Sequence, residues 1–347
     1  MARITRTDAL DLLRTPILSL GRMADDARRK ATDPAVVTYH IDRNINYTDV
    51  CECGCSFCYY YRERGGYFLT DDELAARTGE AREQNADQIL LQGGMRTDIP
   101  FERYVAMIRT LAERFPDMQI HAFSPPEIIH FSRLSGKSVA EVLKVFIDAG
   151  LDSLPGGGAE ILVDAVRARV SPKKCTADEW ISVMRTAHTL GLKASATMMF
   201  GFGESEEDRI THMLRLRELQ DETDGFVAFI PWTYQGGSRT LAPSAPYSGE
   251  SYLRTLALSR LVLDNIPNVQ ASWLTQGLHL GQMALFFGAN DMGSVMLEEN
   301  VVRAAGTAHT TDERTLREVI TAAGFTPRLR DFYYHYRDDV RGMNNGR

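Results

Sequence analysis

Cys51-Glu52-Cys53-Gly54-Cys55-Ser56-Phe57-Cys58, followed at once by Tyr59-Tyr60-Tyr61-Arg62, gathers four of the chain's five cysteines into one short stretch. Cys51, Cys55 and Cys58 are spaced C-x3-C-x2-C. That spacing lets three thiolates from a single loop close on one metal centre and leaves a coordination position without a protein ligand. A structural zinc site normally draws four ligands, typically as two separated pairs, and no second pair exists here. Cys175 stands alone before a helix start and reads as a half-buried structural cysteine. A cubane iron-sulfur cluster fits better, because it is held by thiolates and with three of them keeps one iron open to a chelating small molecule. Cys53, between two proposed ligands, is expected to point away as a bystander.

Working outward, residues 36–46 alternate and are rich in β-formers, which predicts a strand delivering the chain into the cysteine loop. Further strands are expected at 88–92, 118–123, 151–154, 192–200, 226–230, 269–273 and 284–287. Between them, Thr70-x-x-Glu73 and Thr176-x-x-Glu179 are capping boxes, and Ser205 precedes an apolar stripe through Ile210, Met213, Leu216 and Leu219. Strand and helix signals alternate with no composition break, which predicts an α/β fold, a (β/α)8 TIM-type barrel over residues 36–308. Residues 1–35 read as an N-terminal helical preamble, one amphipathic helix over 6–30. Residues 309–347 read as a C-terminal helical extension, a helix over 311–323 and a polar tail. The Pro/Gly/Ser-rich stretch 235–246 is expected as a long loop on the catalytic rim.

The net charge of −7 argues against a nucleic-acid or anionic-membrane partner, since both need a basic face. No apolar run reaches the roughly 18 residues of a membrane span, and the amino terminus lacks the apolar core of a signal peptide. A cytoplasmic protein is therefore expected, and crowded thiols in a reducing compartment favour metal or redox work over disulfides.

The C-x3-C-x2-C loop, with the aromatic Phe57 before its last cysteine and a strand before it, resembles the radical S-adenosylmethionine superfamily. The resemblance implies a 4Fe-4S cluster on Cys51, Cys55 and Cys58 whose open iron is chelated by S-adenosyl-L-methionine, and a 5'-deoxyadenosyl radical as hydrogen-atom abstractor. It also implies cofactor-binding residues at the strand ends. Gln92-Gly93-Gly94 resembles the superfamily's Gly-Gly-Glu type segment. Pro155-Gly156-Gly157-Gly158-Ala159-Glu160 offers backbone N–H groups and a carboxylate for the ribose hydroxyls. Met199-Phe200-Gly201 resembles the segment along adenine, and Tyr59 and Ser153 complete the set. The plain readings stay open: a strand-to-loop turn at Gly93, and a helix-dipole carboxylate at Glu160.

A narrower resemblance covers residues 43–306. Asn44-Ile-Asn-Tyr-Thr-Asp49, His121-Ala-Phe-Ser-Pro-Pro-Glu127, Ala271-Ser-Trp273 and Gly288-Ala-Asn-Asp-Met-Gly293 resemble the futalosine-pathway radical enzymes of menaquinone biosynthesis and their deazaflavin-synthase relatives. Phe229-Ile-Pro-Trp-Thr-Tyr-Gln235 and Leu297-Glu-Glu-Asn-Val-Val302 resemble the dehypoxanthine futalosine cyclases in particular. This implies hydrogen abstraction from the ribose C4' of a small-molecule nucleoside, radical addition to its benzoate ring, and loss of one proton and one electron. An external one-electron reductant such as flavodoxin or ferredoxin is implied; no oligomeric state follows.

His121, Glu127 and Tyr234 are the catalytic candidates, the first two as proton acceptors. Ser124, Trp232, Gln235, Asn290 and Asp291 are the substrate-binding candidates at the barrel mouth. A satisfied interior histidine, rim-packing aromatics and an Asx turn are the respective bland readings. His188, His212, His279 and His309 are expected at the surface. Aminofutalosine synthase and the tyrosine-acting half of deazaflavin synthase are alternatives on the same scaffold, and a non-catalytic electron carrier is an alternative of another class. Tyr59-Tyr60-Tyr61, Met95 to Asp98 and Phe202 depart from the group's pattern, and bear on the substrate rather than on the radical chemistry.

Overall fold

The computed structural model describes residues 3–236 and 248–337. Most of the expected rim loop at 235–246 and the end of the tail lie outside the described residues. A parallel sheet runs in chain order through β2 (Asp42–Asn46), β3 (Gln88–Gln92), β4 (Gln119–Ala122), β5 (Ser153–Leu154), β6 (Lys193–Phe200), β7 (Phe226–Thr233) and β8 (Asn268–Val269). β1 (Val36–His40) precedes β2 in the same course of chain, with Ile41 between them, and pairs in parallel with β9 (Asp291–Ser294) on one side and β10 (Thr326–Leu329) on the other. The backbone bonds Ala271 N to Asp291 O (2.8 Å), Val295 N to His40 O (3.0 Å) and Leu297 N to Asp42 O (3.1 Å) tie β9 and its continuation to both ends of the sheet. The barrel closes through them.

The eighth strand is thus Asp291–Ser294, not 284–287. Residues 285–287 form a 3-10 turn after the helix Leu278–Ala284, with Leu285 and Phe287 buried and Phe286 exposed. A short apolar run does not by itself separate strand from buried helical turn.

Capping boxes form at Thr70/Glu73, Thr176/Glu179 and Ser205/Asp208, where the sequence places them, and also at Ser124/Glu127. They start helices on the outside of the barrel and leave the strand ends to the loops. The preamble is two helices, Arg6–Leu12 and Ile17–Ala31, broken at Pro16. The C-terminal extension carries β10 as well as the helix Glu313–Ala322. His188 and His212 are buried rather than at the surface; His212 Nδ1 accepts the Leu162 N–H at 3.0 Å. Among the described residues no helix is long and apolar enough to cross a membrane.

Candidate active site at the carboxyl ends of the strands

The cysteine loop leaves β2 and is pinned by backbone bonds to three other segments: Cys51 N to Arg62 O (3.0 Å), Glu52 N to Met95 O (2.9 Å) and Ser56 N to Val170 O (2.9 Å). Gly94 lies directly beneath it. A Cβ there would come within 2.0 Å of the Val50 carbonyl oxygen and 2.8 Å of Cys51 Cβ, and one at Gly93 would strike the Tyr47 ring at 2.4 Å. The two glycines therefore let the loop after β3 pack against the root of the cysteine loop.

The thiols differ in their surroundings. A hydrogen bond from Cys53 holds the Cys51 thiol down at about 6, whereas burial pushes Cys55 up to about 12 and raises Cys58. Cys53 Sγ itself lies 3.8 Å from Met95 Sδ and 3.8 Å from the Lys173 carbonyl oxygen. Among the described residues no three His, Cys, Asp or Glu side chains meet closely enough to hold a single metal ion. Cluster ligands each take a different iron, so they need not meet at one point. Cys175 is fully buried, and its carbonyl accepts both Arg167 Nε (3.0 Å) and Nη2 (2.6 Å).

Lys174 is the functional candidate that the sequence reading passed over. Its ammonium lies 2.6 Å from Glu160 Oε1 and 5.2 Å from the Phe57 ring centroid. Burial by itself would lower its pKa, but Cys55 and Glu160 more than offset that and hold it well above its ordinary value. Its only signal was a lysine pair in a loop. Arg167 was equally unsignalled; its Nη1 holds the Gly158 and Ala159 carbonyls at 3.1 and 2.6 Å and so fixes the glycine loop.

Glu160 adopts a positive φ of 41°, and its carbonyl accepts Met199 N (3.1 Å), which joins the loop after β5 to the end of β6. Beyond Met199, the Glu204 carboxylate accepts the N–H groups of Gly201 (2.9 and 3.0 Å) and Phe202 (3.0 Å) and pairs with Arg209 at 2.8 Å. Phe202 stacks on Phe57, ring centroids 6.2 Å apart, and the turn after β6 thereby touches the cysteine loop.

A cavity of about 260 Å³ descends through the barrel, with Gln92, Gly156, Gly157, Thr197, Trp232 and Met296 among its lining residues. An ordinary barrel of this kind is filled by layers of branched side chains. Here Asn44, Ser195, Ala228, Gln270 and Ser294 line the space instead, and leave it open. His121 also lines it, with Nδ1 2.8 Å from Ser153 Oγ; burial lowers its pKa to about 3, so the ring is neutral. Glu299, at the mouth, accepts the N–H groups of Val301, Val302 and Arg303, and burial lifts its carboxyl above the usual value.

Several candidates stand elsewhere. Glu127 is buried off the cavity with both oxygens engaged: Oε1 accepts Tyr47 Oη (2.6 Å) and Gly93 N (3.1 Å), and Oε2 accepts Ser124 N (2.7 Å) and Ser124 Oγ (2.6 Å). Ser124 is correspondingly held in that cap. Burial nevertheless raises the Glu127 pKa. Asn290 and Asp291 are at the amino-terminal end of the barrel, because they open β9 instead of following it. Asn290 Oδ1 accepts Arg260 Nη2 (2.6 Å), and Asp291 is paired with Arg330 at 2.6 and 3.0 Å. Gln235 turns back on Thr233, donating to its carbonyl and hydroxyl at 3.0 Å. Tyr234 is buried against Phe202. Tyr59 is half-buried just after the cysteines.

A family model of the radical SAM superfamily matches residues 45–216, and one described as the CofH/MqnC C-terminal region matches residues 223–343. The chain is 40% identical to the cyclic dehypoxanthine futalosine synthase of Halalkalibacterium halodurans, over 96% of this chain and 91% of that protein. It is 39% identical to the protein of the same name from Streptomyces coelicolor, over 96% and 86%. It is also 39% identical to the 5-amino-6-(D-ribitylamino)uracil–L-tyrosine 4-hydroxyphenyl transferase of Archaeoglobus fulgidus, over 94% and 96%. Among solved structures, methylornithine synthase (PylB) shares the fold, with a TM-score of 0.73 at 17% identity over 98% of this chain and 97% of that one.

Proposed function

Because the chain belongs to the radical S-adenosylmethionine superfamily, whose enzymes use a 4Fe-4S cluster and S-adenosylmethionine, we propose that it is a cyclic dehypoxanthine futalosine synthase. In this reading it closes a ring between C4' of the substrate's ribose and the attached benzoate. The observation that carries the reading is the 40% identity to such a synthase across 96% of the chain. The hollow barrel, open among Gln92 at the end of β3, Gly156 and Gly157 after β5 and Trp232 near the end of β7, supports it.

Cys51, Cys55 and Cys58 would hold the cluster. Lys174 supports that fit: a largely buried ammonium is tolerated beside anionic partners, and here Glu160 is one, while the cluster's thiolates would supply others. When bound, the cluster and S-adenosylmethionine supply a 5'-deoxyadenosyl radical. Gly93, Gly94, Glu160, Met199 and Gly201, at or just after the carboxyl ends of β3, β5 and β6, would line its nucleoside and methionine. An external reductant such as flavodoxin or ferredoxin would deliver the electron.

The chain's own contribution to ring closure is geometric. The two carbons to be joined belong to one molecule, and holding it bent converts closure into a near-attack problem. The cavity walls, Trp232 among them, would hold that conformer and exclude hydrogen donors. One proton and one electron must leave after ring addition, the electron to an external one-electron acceptor. Two titratable groups on the cavity suit the proton: His121, whose low pKa makes it a weak acceptor, and Glu299, whose raised pKa makes it the better one.

The transferase reading is kept alive by the 39% identity to the archaeal enzyme. Anaerobic incubation of the reconstituted chain with S-adenosylmethionine, reductant and dehypoxanthine futalosine should give 5'-deoxyadenosine and a product two hydrogens lighter. Turnover only with L-tyrosine and 5-amino-6-(D-ribitylamino)uracil would refute the synthase reading in favour of the transferase.

A further inference from the structure

The amino-terminal end of this barrel is closed by residues that follow it in the chain. After β10 pairs with β1, with Val36 opposite Thr326 and Tyr39 opposite Leu329, the chain turns beneath the strands as a tight loop, and Arg330 pairs with Tyr336 in an antiparallel bridge. Arg330 is buried and anchors the loop. Its Nε and Nη2 donate to Asp291 at 2.6 and 3.0 Å, and Asp291 also accepts Thr38 Oγ1 at 2.5 Å. Tyr334 lies over the Arg330 guanidinium, 4.0 Å from it to the ring centroid. With the loop so fixed, Phe332 is 5% exposed and its ring meets His121, centroids 4.7 Å apart.

Arg330, Phe332 and Tyr334 all line the same cavity as Gln92 and Trp232. They form its floor, opposite the cysteine loop. The strand residues above them are mostly small or polar, so they do not stop a long ligand; the loop does.

We propose that Phe332 is a specificity-determining residue: it sets the depth of the substrate cavity and therefore the length of substrate the chain accepts. This rests on reading the cavity as the substrate site. Removing the ring while the Arg330–Asp291 anchor stays in place opens space for about one further ring at the base. Engineered apolar cavities of that size, on the order of 150 Å³, take up benzene.

The test compares the full, cluster-loaded wild type with Phe332→Ala and with Phe325→Ala. Phe325 is buried beside β10, under Arg28 and against Phe286, and does not line the cavity. It therefore controls for loosening of the C-terminal segment. Each is given dehypoxanthine futalosine and two analogues lengthened by a phenyl group, one at the anomeric end and one on the benzoate ring. Phe332→Ala should raise kcat/KM for one lengthened analogue relative to the parent by about tenfold or more over wild type, while Phe325→Ala leaves the ratio unchanged. Equal ratios in Phe332→Ala and wild type, or a parallel loss on all substrates, would overturn the proposal. Should the wild type not turn over dehypoxanthine futalosine, the synthase reading fails, and the floor is then read by benzene uptake in crystals. Density beside His121 in Phe332→Ala but not in wild type supports it, and its absence in both refutes it.

Discussion

Glu127→Gln separates a catalytic carboxylate from one that holds the site in shape. In the wild type two oxygens accept four donors: Tyr47 Oη, Gly93 N, Ser124 N and Ser124 Oγ. A carboxamide keeps one oxygen for one pair and presents an NH2 to the other. If the oxygen stays with Tyr47 and Gly93, the new NH2 faces the Ser124 N–H, and Ser124 Oγ can rotate to accept. One backbone donor is left unpaired, at about 1–3 kcal/mol, and the retained bonds lose their charge assistance, at about 1 kcal/mol each. Relief of the buried charge, the cause of the raised pKa, offsets part of this. The net expectation is a loss of about 2–4 kcal/mol, or roughly 3–6 °C in Tm for a chain of this length. Calorimetry of the apo chain measures it. Because Gly93 is then held by a neutral amide oxygen in place of a carboxylate, its bond is weaker, and the cluster-loaded variant should also bind S-adenosylmethionine more weakly in a titration. Unchanged Tm and unchanged affinity with turnover reduced a hundredfold would show that Glu127 acts on the substrate, and the positioning argument would be wrong.

Gly94→Ala should lower iron per chain after reconstitution, because its Cβ would meet Val50 O at 2.0 Å, whereas Gly79→Ala, with only ordinary contacts at 3.8 Å or more, should not; equal iron in both contradicts the packing account. Arg330→Met should cost about 3–5 kcal/mol in denaturant unfolding by leaving Asp291 buried without its cation, and adding Asp291→Asn should recover part of that; a double variant no better than the single speaks against the pair. His121 and His212 are both held near 3 by burial, while the unfolded chain takes up those protons near 6.5. The unfolded state therefore binds more protons between pH 6.5 and 3, and stability falls as pH drops through that window, by about 2 kcal/mol per histidine at pH 5. His212→Asn should flatten the slope, and identical slopes would exclude His212 as a source. Glu299 must be ionised to accept a proton, so turnover should fall as pH drops through its raised pKa; Glu299→Gln should remove that limb and lower kcat by about 10²–10⁴, and a retained limb points to another acceptor.

Much of the barrel was legible because its chemistry sits in loops that follow strands. Capping residues mark helix starts, and β-rich runs mark β2, β3, β4, β6 and β7. The unread parts share a physical reason: their conformation depends on distant partners. Asp291-Met-Gly-Ser294 is polar and contains glycine, so no local pattern predicts a strand; it becomes one between β1 and the end of β8. That shift of register moved Asn290 and Asp291 from the mouth to the floor. His212 sits on a helix like any surface residue, but the Leu162 N–H gives it a buried partner. Lys174 becomes notable only when Glu160 and the cysteine loop, more than 100 residues apart in the chain, are folded around it. Glu127 was read as a site residue from its loop, and the capping box that engages it was present in the sequence as Ser124-x-x-Glu127.

The pairing of β1 with β10 also governs when the barrel can be finished. Val36 and Thr326 are about 290 residues apart, and at roughly 5–20 residues per second a ribosome needs on the order of 15–60 s to make the second after the first. For most of that interval the cysteine loop has emerged, yet β1 has a partner on neither side, because β9 and β10 are both made late, and the base of the barrel is unsealed. Closing so long a loop late is slow by its topology, so insertion of the cluster and completion of the fold need not occur in the order in which the residues are made. An unsealed base would give small solutes and water a second way in, and a chain stopped short of Arg330 would keep that back door for good.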